Sequence, residues 1–225
     1  MPARLRPTAP IAADAILVGD PGRALMLAQA LLEQPKMSNH ARGLWGYGGE
    51  TADGKELTIQ STGMGGPSAS VVLADLAELG VRRAIRIGTC ASLGELALGE
   101  ILVVSEASAD FSRSFLVPSN EKEQLNVRVL PDPGLTEKLR RALPEARMGA
   151  VASLDGLHDP ERGRPTVLAE AADMQTATLL AVAAELGVSA AAILIVAERS
   201  DSGQLRDEEL EEKAKRVGVV ASPLL

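Results

Sequence analysis

Short apolar runs alternate along this chain with stretches in which apolar residues recur at helical spacing. Ala15-Ile16-Leu17-Val18 breaks at Gly19-Asp20-Pro21-Gly22-Arg23 and passes directly into a helical pattern from Ala24 to Leu32. Strand-like Glu56–Gln60 leads through Ser61-Thr62-Gly63-Met64-Gly65-Gly66-Pro67-Ser68 into a helical run from Val71 to Leu79. Ala84-Ile85-Arg86-Ile87 reads as a strand delivered into Gly88-Thr89-Cys90-Ala91-Ser92, taken as a glycine turn. Further on, Ile101–Val104, Met148–Ala152 and Ala191–Ala197 read as strands. Leu135–Leu143, Thr166–Leu186 (closed by Gly187) and Asp207–Val217 read as helices, and polar Ser105–Gln124 as a loop. This alternation predicts an α/β fold: a single domain over residues 1–225, in three layers, with a mixed central sheet flanked by helices. Ligands of such folds sit at the carboxyl ends of strands, where the glycine segments fall.

The first of those segments carries anion chemistry. Glycine lets backbone approach a ligand, Asp20 suits an N-cap, Pro21 suits the first helical position, and Arg23 adds a charge above the exposed N–H groups. Gly-Asp-Pro-Gly is also ordinary turn chemistry. Arg86 supplies a second strand-borne guanidinium and Thr89 a hydroxyl near it. The chain has 225 residues, 46% hydrophobic, enough to bury one full core. Its 23 Lys+Arg against 30 Asp+Glu give a formal charge of −7, which argues against general nucleic-acid binding, so an anion must be held by local arginines. One cysteine, Cys90, permits no intrachain disulfide and fits a reducing, cytoplasmic setting; we read it as a small buried residue. The longest apolar run, Ala190–Ala197, is too short to span a bilayer, and no membrane partner is expected. His40 and His158 are the only histidines, and no Cys/His spacing suits a metal. Gly63-Met64-Gly65-Gly66-Pro67-Ser68 lacks the third glycine of a dinucleotide fingerprint, and no Gly-Lys-Ser/Thr loop is present.

In order and spacing, the segments at Gly19–Arg23, Arg42-Gly43-Leu44-Trp45-Gly46-Tyr47, Ser61–Ser68 and Ala84–Ser92 closely resemble the nucleoside phosphorylase superfamily, which includes hexameric purine nucleoside phosphorylases and uridine phosphorylases. The resemblance runs from about Leu5 to Val219. It implies reversible phosphorolysis of a nucleoside to free base and ribose 1-phosphate, with inorganic phosphate as co-substrate and no other cofactor. It assigns phosphate binding to Gly19, Arg23, Arg86 and Thr89, joined by Arg42 from a neighbouring subunit. Met64, Met174 and Gln175 fall at the ribose positions; Cys90, Ala91, Leu157, Asp173, Glu198 and Arg199 fall around the base. Arg86 and Glu198 are the implied catalytic pair, Glu198 protonating the departing base.

Three positions depart from the family pattern. Gln175 stands where the family has the carboxylate that binds ribose hydroxyls, so the resemblance implies that Gln175→Glu raises activity. Leu157 stands where an aromatic ring usually stacks on the base. Glu198 follows Ala197 where purine enzymes carry Ser-Asp, and Arg199 occupies the place of an arginine found in uridine phosphorylases. A purine nucleoside is preferred over uridine; a uridine phosphorylase, and a non-catalytic homologue binding phosphate, nucleoside or base, are the alternatives. The implied assembly is a homo-oligomer, from dimer to hexamer. Trp45 and Tyr47, beside Arg42, are read as interface anchors, with a core strand as the other reading.

Overall fold

The computed structural model describes residues 4–110, 126–156 and 168–225. Its elements run β1 (Asp14–Val18), α1 (Pro21–Leu31), β2 (Leu32–Asn39), a 3-10 turn (Ala41–Gly43), β3 (Gly46–Thr51), β4 (Glu56–Ser61), α2 (Gly65–Glu78), β5 (Arg83–Ser92) and β6 (Ile101–Asp110). β7 (Asn126–Val129), α3 (Pro133–Ala142), β8 (Arg147–Leu154), β9 (Ala171–Asp173), α4 (Thr176–Leu186), β10 (Ser189–Arg199), β11 (Gly203–Gln204) and α5 (Asp207–Ala221) follow.

The described strands form one mixed sheet, ordered β11-β10-β6-β8-β9-β5-β1-β4-β3-β2, with β7 on β6. β5 pairs in parallel with β1 and β10, whereas β2, β3 and β4 run as an antiparallel meander. Because β10 pairs with both β6 and β5, the strands β10, β6, β8, β9 and β5 close into a ring.

Strand periodicity divides the interior between two faces. On β1, Ala15 and Leu17 enter one core and Ile16 and Val18 the other; on β10, Ala192 and Leu194 oppose Ala191 and Ile193. Val72, Leu73 and Leu76 of α2 and Leu179, Leu180 and Ala183 of α4 cover the first face. Leu27 and Ala28 of α1, Leu135 and Leu139 of α3, and Val217 and Ala221 of α5 cover the second. This is the expected α/β architecture, helices on both faces of a mixed sheet.

Several boundaries differ from the sequence reading. Gly88–Ser92 is no turn: β5 runs straight through it. The expected helix from Thr166 begins only at Thr176, with β9 before it, because the Asp173 carboxylate takes the Thr176 N–H and starts the helix there. β6 continues to Asp110 into what was read as a loop, held between β8 and β7. β2 was not foreseen, and β3 only as the core-strand reading of the segment that holds Trp45 and Tyr47. β2, Leu-Glu-Gln-Pro-Lys-Met-Ser-Asn, is polar, contains Pro35 and lies at the sheet edge, where proline is tolerated and alternation is lost. Tyr47 is a buried core residue of β3 rather than an interface anchor, and Trp45 packs partly buried against the same core.

Candidate active site

At the carboxyl ends of β1, β5 and β10 lies a cavity of about 520 Å³. Two turns, two strand ends and one strand–helix junction build it. The β1–α1 turn contributes Gly19, Asp20 and Arg23; Asp20 caps α1, accepting the Arg23 N–H at 2.7 Å, and Pro21 occupies the first turn. The β4–α2 turn contributes Gly63, Met64 and Gly65, with Gly63 (φ 70°) and Gly65 (φ 78°) in the left-handed region that favours glycine. β5 supplies Arg86, Thr89, Cys90 and Ala91, and the β9–α4 junction supplies Asp173, Met174 and Gln175. Ala197 and Glu198 of β10 complete the wall. Both reach it because the β10–β5 register shifts between Val196 and Glu198, a bulge that breaks the usual alternation.

Arg86 is the buried centre of this site, 4% exposed. Nη2 donates to Asp173 Oδ2 at 3.0 Å, Nη1 to Gln175 Oε1 at 2.9 Å, and Nε to Thr176 Oγ1 at 3.1 Å. Asp173, 2% exposed, also accepts from Ser153 Oγ and Thr176 Oγ1, both at 2.6 Å, so its carboxylate is wholly engaged in holding Arg86 and the start of α4. Asp173 thereby braces the site from within its lining. Gly88 makes room for the guanidinium: a Cβ there would lie 2.6 Å from Arg86 Nη2 and 2.7 Å from Cζ.

Arg23 is half-buried, and its guanidinium has no hydrogen bond or ion pair with any described residue. Burial pulls its pKa below the ordinary value; Asp20 opposes the shift and the nearby Arg86 reinforces it. Two cations near enough to feel each other, one unpartnered, favour an anion between them. The Thr89 hydroxyl likewise has no described partner, and neither does the Glu198 carboxylate. Burial, followed by the Asp173 charge, pushes the Cys90 thiol far above its usual range, leaving it an uncharged part of the wall. Met64 is 86% exposed at the mouth, and Met174 is half-buried inside it.

Eleven of the residues singled out in the sequence thus share one cavity: Gly19, Arg23, Met64, Arg86, Thr89, Cys90, Ala91, Asp173, Met174, Gln175 and Glu198. Leu157 lies outside the described residues. Arg199 does not line the cavity. Its Nε and Nη2 bind Asp201 at 2.7 and 2.5 Å, and Nη1 donates to the Leu96 carbonyl at 2.8 Å, so its charge is engaged away from the site. Arg42 also lies off the cavity of its own chain, exposed and in a left-handed conformation (φ 60°, ψ 19°) that non-glycine residues rarely hold. Its loop is pinned by two buried amides, Asn39 Nδ2 and Gln60 Nε2, which both donate to the Leu44 carbonyl. Sequence reasoning missed Ser153, Thr62 and Thr176. The Asp-x-x-Thr spacing from Asp173 to Thr176 is a capping signal that could have found the last; Ser153 leaves no such trace.

Residues 14–224 match the profile of a family described as the phosphorylase superfamily. The chain is 32% identical over 216 residues to a DeoD-type purine nucleoside phosphorylase of Caldanaerobacter subterraneus subsp. tengcongensis, covering 90% of each chain. It is 31% identical over 208 residues to one named the same from Alkaliphilus metalliredigens, covering 88% of each. The fold is similar to the crystal structure of purine nucleoside phosphorylase from Toxoplasma gondii in complex with immucillin-H, with a TM-score of 0.77, 20% identity and coverage of 95% and 90% of the two chains. With a family match spanning nearly its whole length and relatives at this identity, the chain belongs to the phosphorylase superfamily.

Proposed function

We propose that this protein catalyses phosphorolysis of a purine nucleoside, giving free base and ribose 1-phosphate. The observation that carries the reading is one cavity holding a braced Arg86 and, without partners among the described residues, the Arg23 guanidinium at one side and the Glu198 carboxyl at another. Phosphate, held by the two guanidiniums, Thr89 and the Gly19 backbone, attacks C1′ of the ribose. The C1′–N bond breaks, its electron pair leaves with the base, and Glu198 donates the proton that neutralises it. Met64 and Met174 pack on the sugar, and Ala91 and Cys90 lie under the base. The engagement of Arg199 with Asp201 withdraws the residue on which the uridine reading depends.

The lining carries two arginines against Asp20, Asp173 and Glu198. A third cation would favour a dianionic co-substrate, and the exposed, strained Arg42 on its braced loop supports donation across an interface to a second copy of the chain, in a dimer or hexamer. The single buried cysteine agrees with work in a reducing cytoplasm. Incubating purine nucleosides and uridine with and without phosphate, and following release of free base, tests the reading: phosphate-dependent release from purine nucleosides is expected. Release from uridine alone would overturn the base preference, and no release from any nucleoside would leave a binding protein.

A further inference from the structure

We infer that Gln175 sets the charge at the anion end of the cavity: its amide ties the 62–65 loop to Arg86 while adding no second negative charge to that guanidinium. The inference rests on the reading of Arg23 and Arg86 as the phosphate grip. Gln175 is 3% exposed, and both ends of its amide are used. Oε1 lies 2.9 Å from Arg86 Nη1 and 3.0 Å from Thr62 Oγ1; Nε2 donates to the Gly63 carbonyl at 2.6 Å and reaches that of Gly65 at 3.3 Å. Turned over, the amide would set its oxygen against two carbonyl oxygens and its NH2 against a guanidinium N–H. Chemistry therefore permits one orientation.

An ionised carboxylate of the same length cannot make this set of contacts. Its second oxygen would face the Gly63 carbonyl with no hydrogen to share. It would also be a second carboxylate on Arg86 beside Asp173, in a cavity already lined by two arginines and three carboxylates. The groups facing position 175 are Arg86 of β5 and Asp173 of β9, with Arg23 of α1, Asp20 of the β1–α1 turn, the neutral Cys90 of β5 and Glu198 of β10 elsewhere in the cavity; the 62–65 loop brings no titratable side chain. A neutral residue at 175 keeps part of the Arg86 charge for an incoming anion, so Gln175→Glu weakens anion capture, whatever it restores at the ribose.

Sulfate is the probe, because its charge does not change over the working range. Its binding is measured by calorimetry for the whole protein, Gln175→Glu and Gln175→Met, at about pH 5 and about pH 8, either side of the range in which a buried carboxyl facing carbonyls titrates. At the higher pH, Gln175→Glu is expected to bind sulfate about tenfold or more weakly than the unmodified protein. At the lower pH the deficit shrinks, because the neutral acid again donates to the Gly63 carbonyl. Gln175→Met, which loses the tie but adds no charge, shows a smaller deficit that pH does not move. Equal affinity of Gln175→Glu and the unmodified protein at the higher pH overturns the inference. So do equal, pH-independent deficits in the two variants, which would make the tie alone responsible. If the unmodified protein binds neither sulfate nor phosphate, it is the phosphate-grip reading that fails.

Discussion

A methyl group on Gly88 would collide with the Arg86 guanidinium and lie 2.9 Å from Leu194 Cδ2, so the residue beneath the site's central cation has to lack a side chain. Gly88→Ala forces Arg86 away from Asp173 and Gln175, and overpacking of this kind costs about 1–3 kcal/mol. Urea denaturation should show that loss together with weakened sulfate binding by calorimetry; unchanged sulfate affinity would mean that Arg86 does not hold the anion. Glu198 is a carboxyl of another kind, unpartnered and without a structural task among the described residues. Glu198→Gln is expected to cut purine release by about 10²–10⁴-fold with phosphate affinity and the urea midpoint unchanged. The arginines were legible in the sequence because charged residues beside glycine segments stand out. Gly88 was misread because glycine marks turns and close approaches alike, and sequence alone does not separate the two.

Two short junctions between elements hold the site. At the start of α4, Asp173 joins Arg86, Ser153 of β8 and the first helical N–H, a buried ion pair at 3.0 Å with every oxygen in use. Asp173→Ala strands a buried guanidinium beside the positive end of a helix and should lower stability by about 3–5 kcal/mol, read from the denaturation midpoint. At the end of β10, Arg199 ties the strand through Nη1 to the Leu96 carbonyl and through Nε and Nη2 to Asp201. The Arg199 hydrogen bonds, aided by Ser202, hold the Asp201 carboxyl below the usual range. A carboxyl depressed in the folded state contributes its stability above its unfolded pKa and loses it as pH falls through the lower folded value. Carboxyl NMR titration should find Asp201 ionised at pH values where ordinary aspartates are protonated, and Arg199→Ala should return it to the ordinary range. Central strands such as β1 and β10 were readable from continuous apolar runs. The junctions were not: β9 is three residues long and pairs with β5 some eighty residues earlier, and β11 is a two-residue return onto the end of β10 in a stretch with no apolar alternation.

At the scale of the whole molecule, the proposed function asks a chain with formal charge −7 to gather a dianion through a few guanidiniums, one of them Arg42 lent by a second copy. Mixing Arg42→Ala and Arg86→Ala subunits, each inactive alone, should restore part of the activity, because some cavities would then receive both arginines; a monomer in sedimentation at working concentration would refute the sharing. The ring of strands through β5 and β10 also bears on time. Arg86 meets Asp173 across 87 residues of sequence, and β5 meets β10 across a comparable span. Contacts between such distant segments form late, after the entropy of closing long loops has been overcome. The anion grip therefore should not exist in the transition state for folding, and a ligand that binds only the finished ring cannot hurry its formation. Added sulfate should leave the refolding rate of the chain unchanged and slow its unfolding, so that the co-substrate acts as a latch on the completed protein.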